Sequence, residues 1–389
     1  VLRAVAEVNL AAIERNAERV RARLRSGVAL CAVVKANAYG HGAVPAARAA
    51  LAGGATQLAV VTAPEAAELR RGGVQAPILI LGALGDEELG LAIESGAAIV
   101  VWNATLAQRA AAAARAHGTV VPVHVKLDSG LGRLGTRDRD EAVATAELVA
   151  QTPELRLAGL MTHFATADGD ERFVAAQLAA FTPVVKAVRR LPGGEKLVVH
   201  AAASAAILRF PEAQFDMVRA GIMLYGVDPM DVGPDRYELE PVLALRSYVA
   251  ALKVARPGES TGYGRHFIAE RETVIATAPI GYGDGLSRAL MNNCDVLIGG
   301  RRYPLVGAVS MDNITVDVGP GSAVAIGDPV TLIGADGSER QTAEDLAHRL
   351  GTIGYEVLCW ISARVPRVYH RDGVPVTVDR VETPAAVAR

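Results

Sequence analysis

The chain has 389 residues, a net charge of -2 and 51% hydrophobic residues, which allows about two domains with large cores. Its lysines and arginines are scattered with no long basic block, which argues against nucleic acid or an anionic membrane surface as partner. Three isolated cysteines, Cys31, Cys294 and Cys359, sit in no zinc-spaced motif. They point to reduced thiols, a cytoplasmic home and no metal centre.

Over the first twenty residues charge alternates with apolar residues, unlike a signal peptide. No uncharged apolar run reaches the roughly 18 residues that span a bilayer. Ala4–Leu10 reads as a short strand and Ala11–Arg25 as an amphipathic helix with Asn9 as N-cap. Apolar strand-like runs then follow at Leu30–Val34, Leu58–Val61, Ile78–Leu81, Ala98–Trp102, Val121–Leu127, Leu157–Thr162, Leu197–Val199 and Met217–Tyr225. Between them, Pro45–Ala52, Pro64–Arg71, Asp86–Glu94, Thr105–Ala116, Asp138–Ala150 and Glu171–Arg190 carry helical spacing. Alternation of buried strand and helix means parallel strands with right-handed crossovers. About eight such units predict an α/β fold, a closed (β/α)8 barrel of TIM type, with a doubly wound open sheet as the alternative.

The rhythm stops at Asp228–Tyr237, whose Asp, Gly and Pro read as a linker. Beyond it, Val242–Val254, Thr273–Ala278, Asp295–Ile298, Arg302–Val309, Asn313–Val318, Pro329–Ile333 and Arg364–Tyr369 read as strands. One helical piece interrupts them, from about Ala343 to Ile361. The expected organisation is a barrel domain over residues 1–236 and a mostly-β domain over 237–389, with residues 1–9 placed to pair with the latter.

In an eight-stranded barrel the chemistry lies at the carboxyl ends of the strands. The first run ends at Lys35 and Tyr39, followed by a turn at Gly40 and Gly42. The fifth ends at Lys126 and Asp128, followed by Arg133; the sixth at His163; the seventh at His200, then Ser204; the eighth at Arg219, then Gly221 and Ile222. Each has an ordinary structural alternative: a satisfied core histidine, a buried salt bridge, a helix N-cap. Their coincidence at one rim favours a site, because charge inside a barrel mouth is costly unless paired or used. Barrels frequently bind phosphate in the loops after strands seven and eight. A phosphate there and a lysine amine across the mouth suggest pyridoxal 5'-phosphate. If Arg219 faces the pyridine nitrogen, that nitrogen stays unprotonated, since a guanidinium does not give up its proton. Such a ring is a weak electron sink and favours a proton leaving and returning to Cα. Gly281-Tyr-Gly-Asp-Gly285 is not a dinucleotide fingerprint, and no Walker A, GxSxG or HExxH motif occurs.

Across essentially its whole length the sequence resembles the alanine racemase family. The resemblance is carried by Ala32-Val-Val-Lys-Ala-Asn-Ala-Tyr-Gly-His-Gly42, Lys126-Leu-Asp-Ser-Gly-Leu-Gly-Arg-Leu-Gly135, Thr162-His-Phe-Ala-Thr-Ala-Asp168, Met217-Val-Arg-Ala-Gly-Ile222, Thr261-Gly-Tyr-Gly264, Ala278-Pro-Ile-Gly-Tyr-Gly-Asp-Gly285, Ser310-Met-Asp312 and Gly351-Thr-Ile-Gly-Tyr355. It implies a barrel followed by a β domain, pyridoxal 5'-phosphate as cofactor, and L- and D-alanine as substrates. It also implies D-alanine supply for peptidoglycan, and a head-to-tail homodimer with shared active sites. Lys35 would be the Schiff-base lysine and one catalytic base, and Tyr263 of a second subunit the other. Arg219 would face the pyridine nitrogen with His200 behind it, and His163 would support the site near Tyr263. Tyr39, Ser204, Gly221, Ile222 and Tyr355 would hold the phosphate. Arg133 would reach the cofactor's phenolic oxygen. Lys126 matches a lysine that some members carry as a carbamate. Met311 and its neighbour Asp312 would contact the substrate carboxylate, with Tyr282, Asp168 and Tyr355 at the entrance.

Two positions depart from the family pattern. Ala308 stands where an entrance arginine is common, and Ser310 where cysteine is frequent. Racemisation needs one base on each face of Cα, which a lysine and a tyrosine can supply. The rival expectations are a racemase of broader range that accepts serine, a pyridoxal-phosphate homeostasis protein, and a barrel decarboxylase. Tyr263 and Met311 argue against the homeostasis protein, and Arg219 against the decarboxylase.

Overall fold

A computed structural model describes residues 2–377, which divide into two compact units. The first holds Ile13–Ala38 and Ala43–Leu224. Its strands are Ala29–Val33, Gln57–Val60, Ile78–Ile80, Ala98–Val101, Val121–Lys126, Leu155–Met161, Val198–Ala203 and Met217–Ala220, named below as the first to eighth barrel strands. They close into a parallel barrel, the eighth pairing with the first through Ala29↔Met217 and Cys31↔Arg219. Leu30, Leu58, Leu79, Ile80, Ile99, Leu160 and Met217 are fully or almost fully buried, as expected where helices cover one face and side chains fill the other.

The helices between strands start at specific caps. Thr62 and Glu65 form a capping box on Ala63–Arg71, and Asn103, Asp138 and Asp170 each accept backbone N–H groups at the start of their helices. The ladder carries two irregularities. One falls between Val123 and His124 against the sixth strand, the other between His200 and Ala203 against the eighth. Bulges of this kind re-aim side chains and cluster near sites. The eighth strand is shorter than the apolar run suggests. It ends at Ala220, because the Gly221 N–H donates to the Ser204 hydroxyl and not along the ladder.

The second unit contains residues 2–12, 39–42 and 225–377. Its large sheet runs, in spatial order, Arg301–Pro304, Asp295–Ile298, Pro329–Asp336, Leu243–Tyr248, Val5–Asn9, Arg367–Arg371 and Val374–Val376, with Glu339–Gln341 added to Pro329–Asp336. Val5–Asn9 is antiparallel to Leu243–Tyr248 and parallel to Arg367–Arg371. A three-stranded sheet holds Ala251–Ala255, Thr273–Ala278 and Ile314–Asp317, and a short ribbon pairs Ser260–Thr261 with Phe267–Ile268. The Val242–Val254 run therefore divides between two sheets. The helical piece near the end is two helices, Ala343–Leu350 and Gly354–Trp360, because Gly351 takes a left-handed φ of 66° and caps the first. Among the described residues no helix is long and apolar enough to cross a membrane.

Candidate active site

The first barrel strand runs out just before Lys35, and the backbone then does something the sequence did not announce. Ala36, Asn37, Ala38 and Tyr39 have φ of 51°, 54°, 54° and 52°, one turn of left-handed helix built without glycine. At about 1–2 kcal/mol per residue this conformation is expensive and needs outside support. Part of that support is Glu65. One carboxylate oxygen accepts from the Ala36 N–H at 2.6 Å, and the other accepts from Val61 and Thr62 N–H at 2.8 and 3.1 Å. Asn37 adds its side-chain oxygen, which accepts from Ala43 N–H at 2.8 Å. The carboxylate that opens one barrel helix therefore also braces the turn next to Lys35.

At the centre of the barrel lies Arg219, 2% exposed. Its Nη1 donates to His200 Nδ1 at 2.6 Å. Its Nη2 donates to His163 Nδ1 at 3.0 Å and to the carbonyls of Thr162 and Ala201, both at 2.9 Å. Among the described residues no hydrogen bond is made by its Nε. Behind His200, its Nε2 lies 2.8 Å from His124 Nδ1. Among the described residues no carboxylate enters this chain of contacts. Burial, followed by Arg219, drives the His200 imidazole far below its ordinary range, and burial, Arg156 and Arg219 push His124 down to about 3. Both rings are therefore neutral, as burial beside a fixed cation requires.

His163 is pushed down as well, first by burial and then by Arg219, Lys126, Arg133 and Lys35. Four cations from the first, fifth and eighth strand ends thus act on one imidazole. Lys126 itself is pushed down to about 8 by burial, Arg219 and Arg133. The neighbouring Asp128 is taken up locally: it accepts from Gly130 and Gly132 N–H and pairs with Arg137 at 3.3 Å. Next to this group, Ser204 and Gly221 join the ends of strands seven and eight through the 3.1 Å bond from Gly221 N–H to Ser204 Oγ, and Ile222 is fully buried beside them. Asp168 sits exposed in the turn after strand six.

The β unit holds the remaining expected residues. Tyr39 and Tyr355 lie with ring centroids 6.1 Å apart, and Tyr39 also packs on Tyr225 at 5.0 Å. Tyr263 stands on the turn of the short ribbon and is 74% exposed. Beneath that turn a side chain on Gly262 would come within 3.2 Å of the Ala308 nitrogen, and Ala308 is buried. Tyr282 and Met311 are also exposed, 43% and 52%, on two loops held together by bonds from Tyr282 N–H to the Ser310 carbonyl and from Gly283 N–H to the Met311 carbonyl. Those loops rest on a buried carboxylate: Asp284 accepts from Arg3 at 2.6 Å and from Arg364 at 2.7 Å. Asp312 pairs with the same Arg364 at 2.6 Å, so its carboxylate serves this brace.

Within the barrel unit the structure therefore gathers Lys35, Lys126, Arg133, His163, His200 and Arg219, and links Ser204 to Gly221. In the β unit it brings Tyr39 to Tyr355 and leaves Tyr263, Tyr282 and Met311 on the surface. Sequence reasoning passed over His124, Glu65, Asp284 and Arg364. His124 had a signal, since it lies two residues before Lys126 on one strand and so shares its face. Glu65 had a partial one, the Thr62-to-Glu65 capping-box spacing, which does not announce its bond to Ala36. Asp284 and Arg364 had none, because the groups that form their ion pairs are distant in sequence.

A pyridoxal phosphate group fits the barrel residues. A phosphate and a phenolate are anionic, and the mouth carries four cations that act together on His163. The guanidinium at its centre is held by neutral acceptors, which leave its charge in place. Among the described residues no cluster of His, Cys, Asp and Glu could hold a metal ion.

Comparison with known proteins agrees. The family described as alanine racemase, N-terminal domain, matches residues 8–229, and alanine racemase, C-terminal domain, matches residues 242–369. An alanine racemase of Desulforamulus reducens is 41% identical over 365 residues, covering 94% of this chain and 98% of the relative. The crystal structure of alanine racemase from Bacillus anthracis with bound L-Ala-P superposes with a TM-score of 0.90 at 37% identity, covering 97% of this chain and 98% of that one. The enzyme from Streptomyces lavendulae gives 0.90 at 36% identity, covering 95% and 97%.

Proposed function

The chain belongs to the alanine racemase family, isomerases that interconvert L- and D-alanine with pyridoxal phosphate, and on that premise we propose which of its residues do the work. Lys35 carries the cofactor and serves one face of Cα. Tyr263 of a second copy of the chain serves the other, in a head-to-tail homodimer with shared sites. The bound cofactor supplies electron withdrawal that makes the Cα–H acidic. Everything else is the protein's task. Ser204, Gly221, Ile222, Tyr39 and Tyr355 hold the phosphate. Arg133 takes the phenolic oxygen and reaches toward the substrate carboxylate, which Met311 and Tyr282 help to seat, while Asp312 holds the Met311 loop through Arg364. Asp168, Tyr282 and Tyr355 line the approach. Two bases on opposite faces are what inversion requires, since one base returns the proton to the face it came from.

The observation that carries this reading is the setting of Arg219, a buried guanidinium whose partners His200 and His163 accept through neutral nitrogens. A guanidinium donates without protonating the group it faces. An acid at this place would instead protonate the ring nitrogen and stabilise carbanions generally, as decarboxylation requires. Lys126, with its ammonium pushed down to about 8, has a neutral fraction at neutral pH able to take up carbon dioxide as a carbamate and turn from cation to anion beside Arg133. The D-alanine formed supplies peptidoglycan synthesis. Among the described residues Cys31, Cys294 and Cys359 form no disulfide, which supports a reducing, cytoplasmic setting.

Polarimetry of the purified protein with single L-amino acids tests the substrate. Rotation lost with L-alanine much faster than with L-serine supports this reading, and equal rates would make it a broad-range racemase. Lys35→Ala should abolish the visible absorption of the lysine-bound cofactor; an unchanged spectrum would place the cofactor on another lysine.

A further inference from the structure

We infer that His124 is a positioning residue that sets the tautomer of His200 and through it the direction of the hydrogen bond from Arg219. Arg219 Nη1 is 2.6 Å from His200 Nδ1, and a guanidinium has no lone pair to offer, so His200 Nδ1 is bare. A neutral His200 then carries its proton on Nε2. That nitrogen lies 2.8 Å from His124 Nδ1, so His124 must present a lone pair there and keep its own proton on Nε2. Reversing His124 would set two N–H groups against each other at that distance. Moving the His200 proton to Nδ1 would aim it at the cation. Only one arrangement of protons satisfies both contacts.

The fold makes room for this second histidine. A side chain on Gly159 would come within 2.0 Å of His124 Nδ1, so only glycine leaves the ring its place. The two ladder irregularities of the barrel fall at His124 and just after His200, which turns both rings to the interior. Both rings are fully or almost fully buried, so no solvent water replaces either partner cheaply. The pair thus relays an acceptor from the fifth strand to the guanidinium, and its effect on alanine turnover rests on the racemase reading.

The experiment is the side-chain nitrogen NMR spectrum of the holoenzyme labelled with 15N-histidine, which has eight histidines to resolve. The native protein should show His200 and His124 neutral, each protonated on Nε2 with Nδ1 bare. A proton on Nδ1 of either ring, or a doubly protonated His200, overturns the inference whatever the kinetics. His124→Asn places an amide oxygen where Nδ1 stood, and should keep the His200 signals and turnover close to native. His124→Leu removes the acceptor and should shift or split the His200 signals. It should also lower kcat for alanine by about 10- to 100-fold with KM little changed, the scale usual for residues that orient a site from behind. Equal losses in the Asn and Leu variants would mean that the ring only fills space. A native protein that shows the expected tautomers but does not racemise alanine would sink the racemase reading and leave the proton arrangement standing.

Discussion

Lys35 and Tyr263 divide the proposed chemistry at the scale of single residues, and their settings differ. Lys35 sits among cations that act on the same imidazole, whereas Tyr263 stands exposed at the tip of a ribbon. A proton removed by one must be returned by the other, so the two cannot substitute for each other. Tyr263→Phe should therefore leave cofactor absorption intact and suppress exchange of the α-proton with deuterated solvent mainly from one enantiomer. Equal suppression from both enantiomers would count against two bases. Arg219 offers a residue-scale lesson too. Its place between apolar residues in the sequence fits a buried salt bridge, yet its partners are imidazoles and carbonyls, so its positive charge is retained.

Among elements, the decisive one is the left-handed turn Ala36–Tyr39. Four non-glycine residues with positive φ cost on the order of 4–8 kcal/mol in backbone strain, and the turn persists because its surroundings over-determine it. Glu65 binds three backbone N–H groups, one on the turn and two at the start of its own helix. Glu65→Ala should cost about 1–3 kcal/mol in denaturant unfolding, the range for a lost charged cap and hydrogen bond. It should also weaken cofactor retention more than an exposed substitution such as Glu87→Ala does. Comparable cofactor loss in both variants would remove Glu65 from the support of the turn. The motif around Gly40 and Gly42 announced a turn; its hand came from contacts with a helix that begins more than twenty residues later.

For the whole molecule, sharing of sites between copies has a direct signature. Co-expressed Lys35→Ala and Tyr263→Phe chains should form mixed dimers with one intact site each, and random pairing should restore about a quarter of native activity. No restoration in verified mixed dimers would place both bases in one chain. Stability against pH is the second molecular property. His124 titrates near 6.5 when unfolded and at about 3 when folded, so between those values the unfolded chain binds more protons. Stability is therefore unaffected above about 6.5 and falls as pH drops below it, by up to about 1.4 kcal/mol per pH unit for this one residue. His163 and His200, also shifted down, act in the same direction. Denaturant midpoints between pH 7 and 4.5 should show the decline, and His124→Asn should flatten it in the same cofactor state. A steeper decline in the variant would contradict the assignment.

Periodicity and strand-end chemistry were legible in the chain by itself: alternation of apolar runs with amphipathic segments specifies parallel strands and helices, and the residues ending those runs fall on one rim of a closed barrel. Local signals of that kind depend only on neighbours in sequence. The shared field on His163, the His124–His200–Arg219 chain, the hand of the turn after Lys35 and the Asp284 brace with Arg3 and Arg364 were decided by tertiary structure alone. Each joins groups from distant parts of the chain, and whether a buried charge or ring nitrogen is satisfied depends on the partner that the fold delivers.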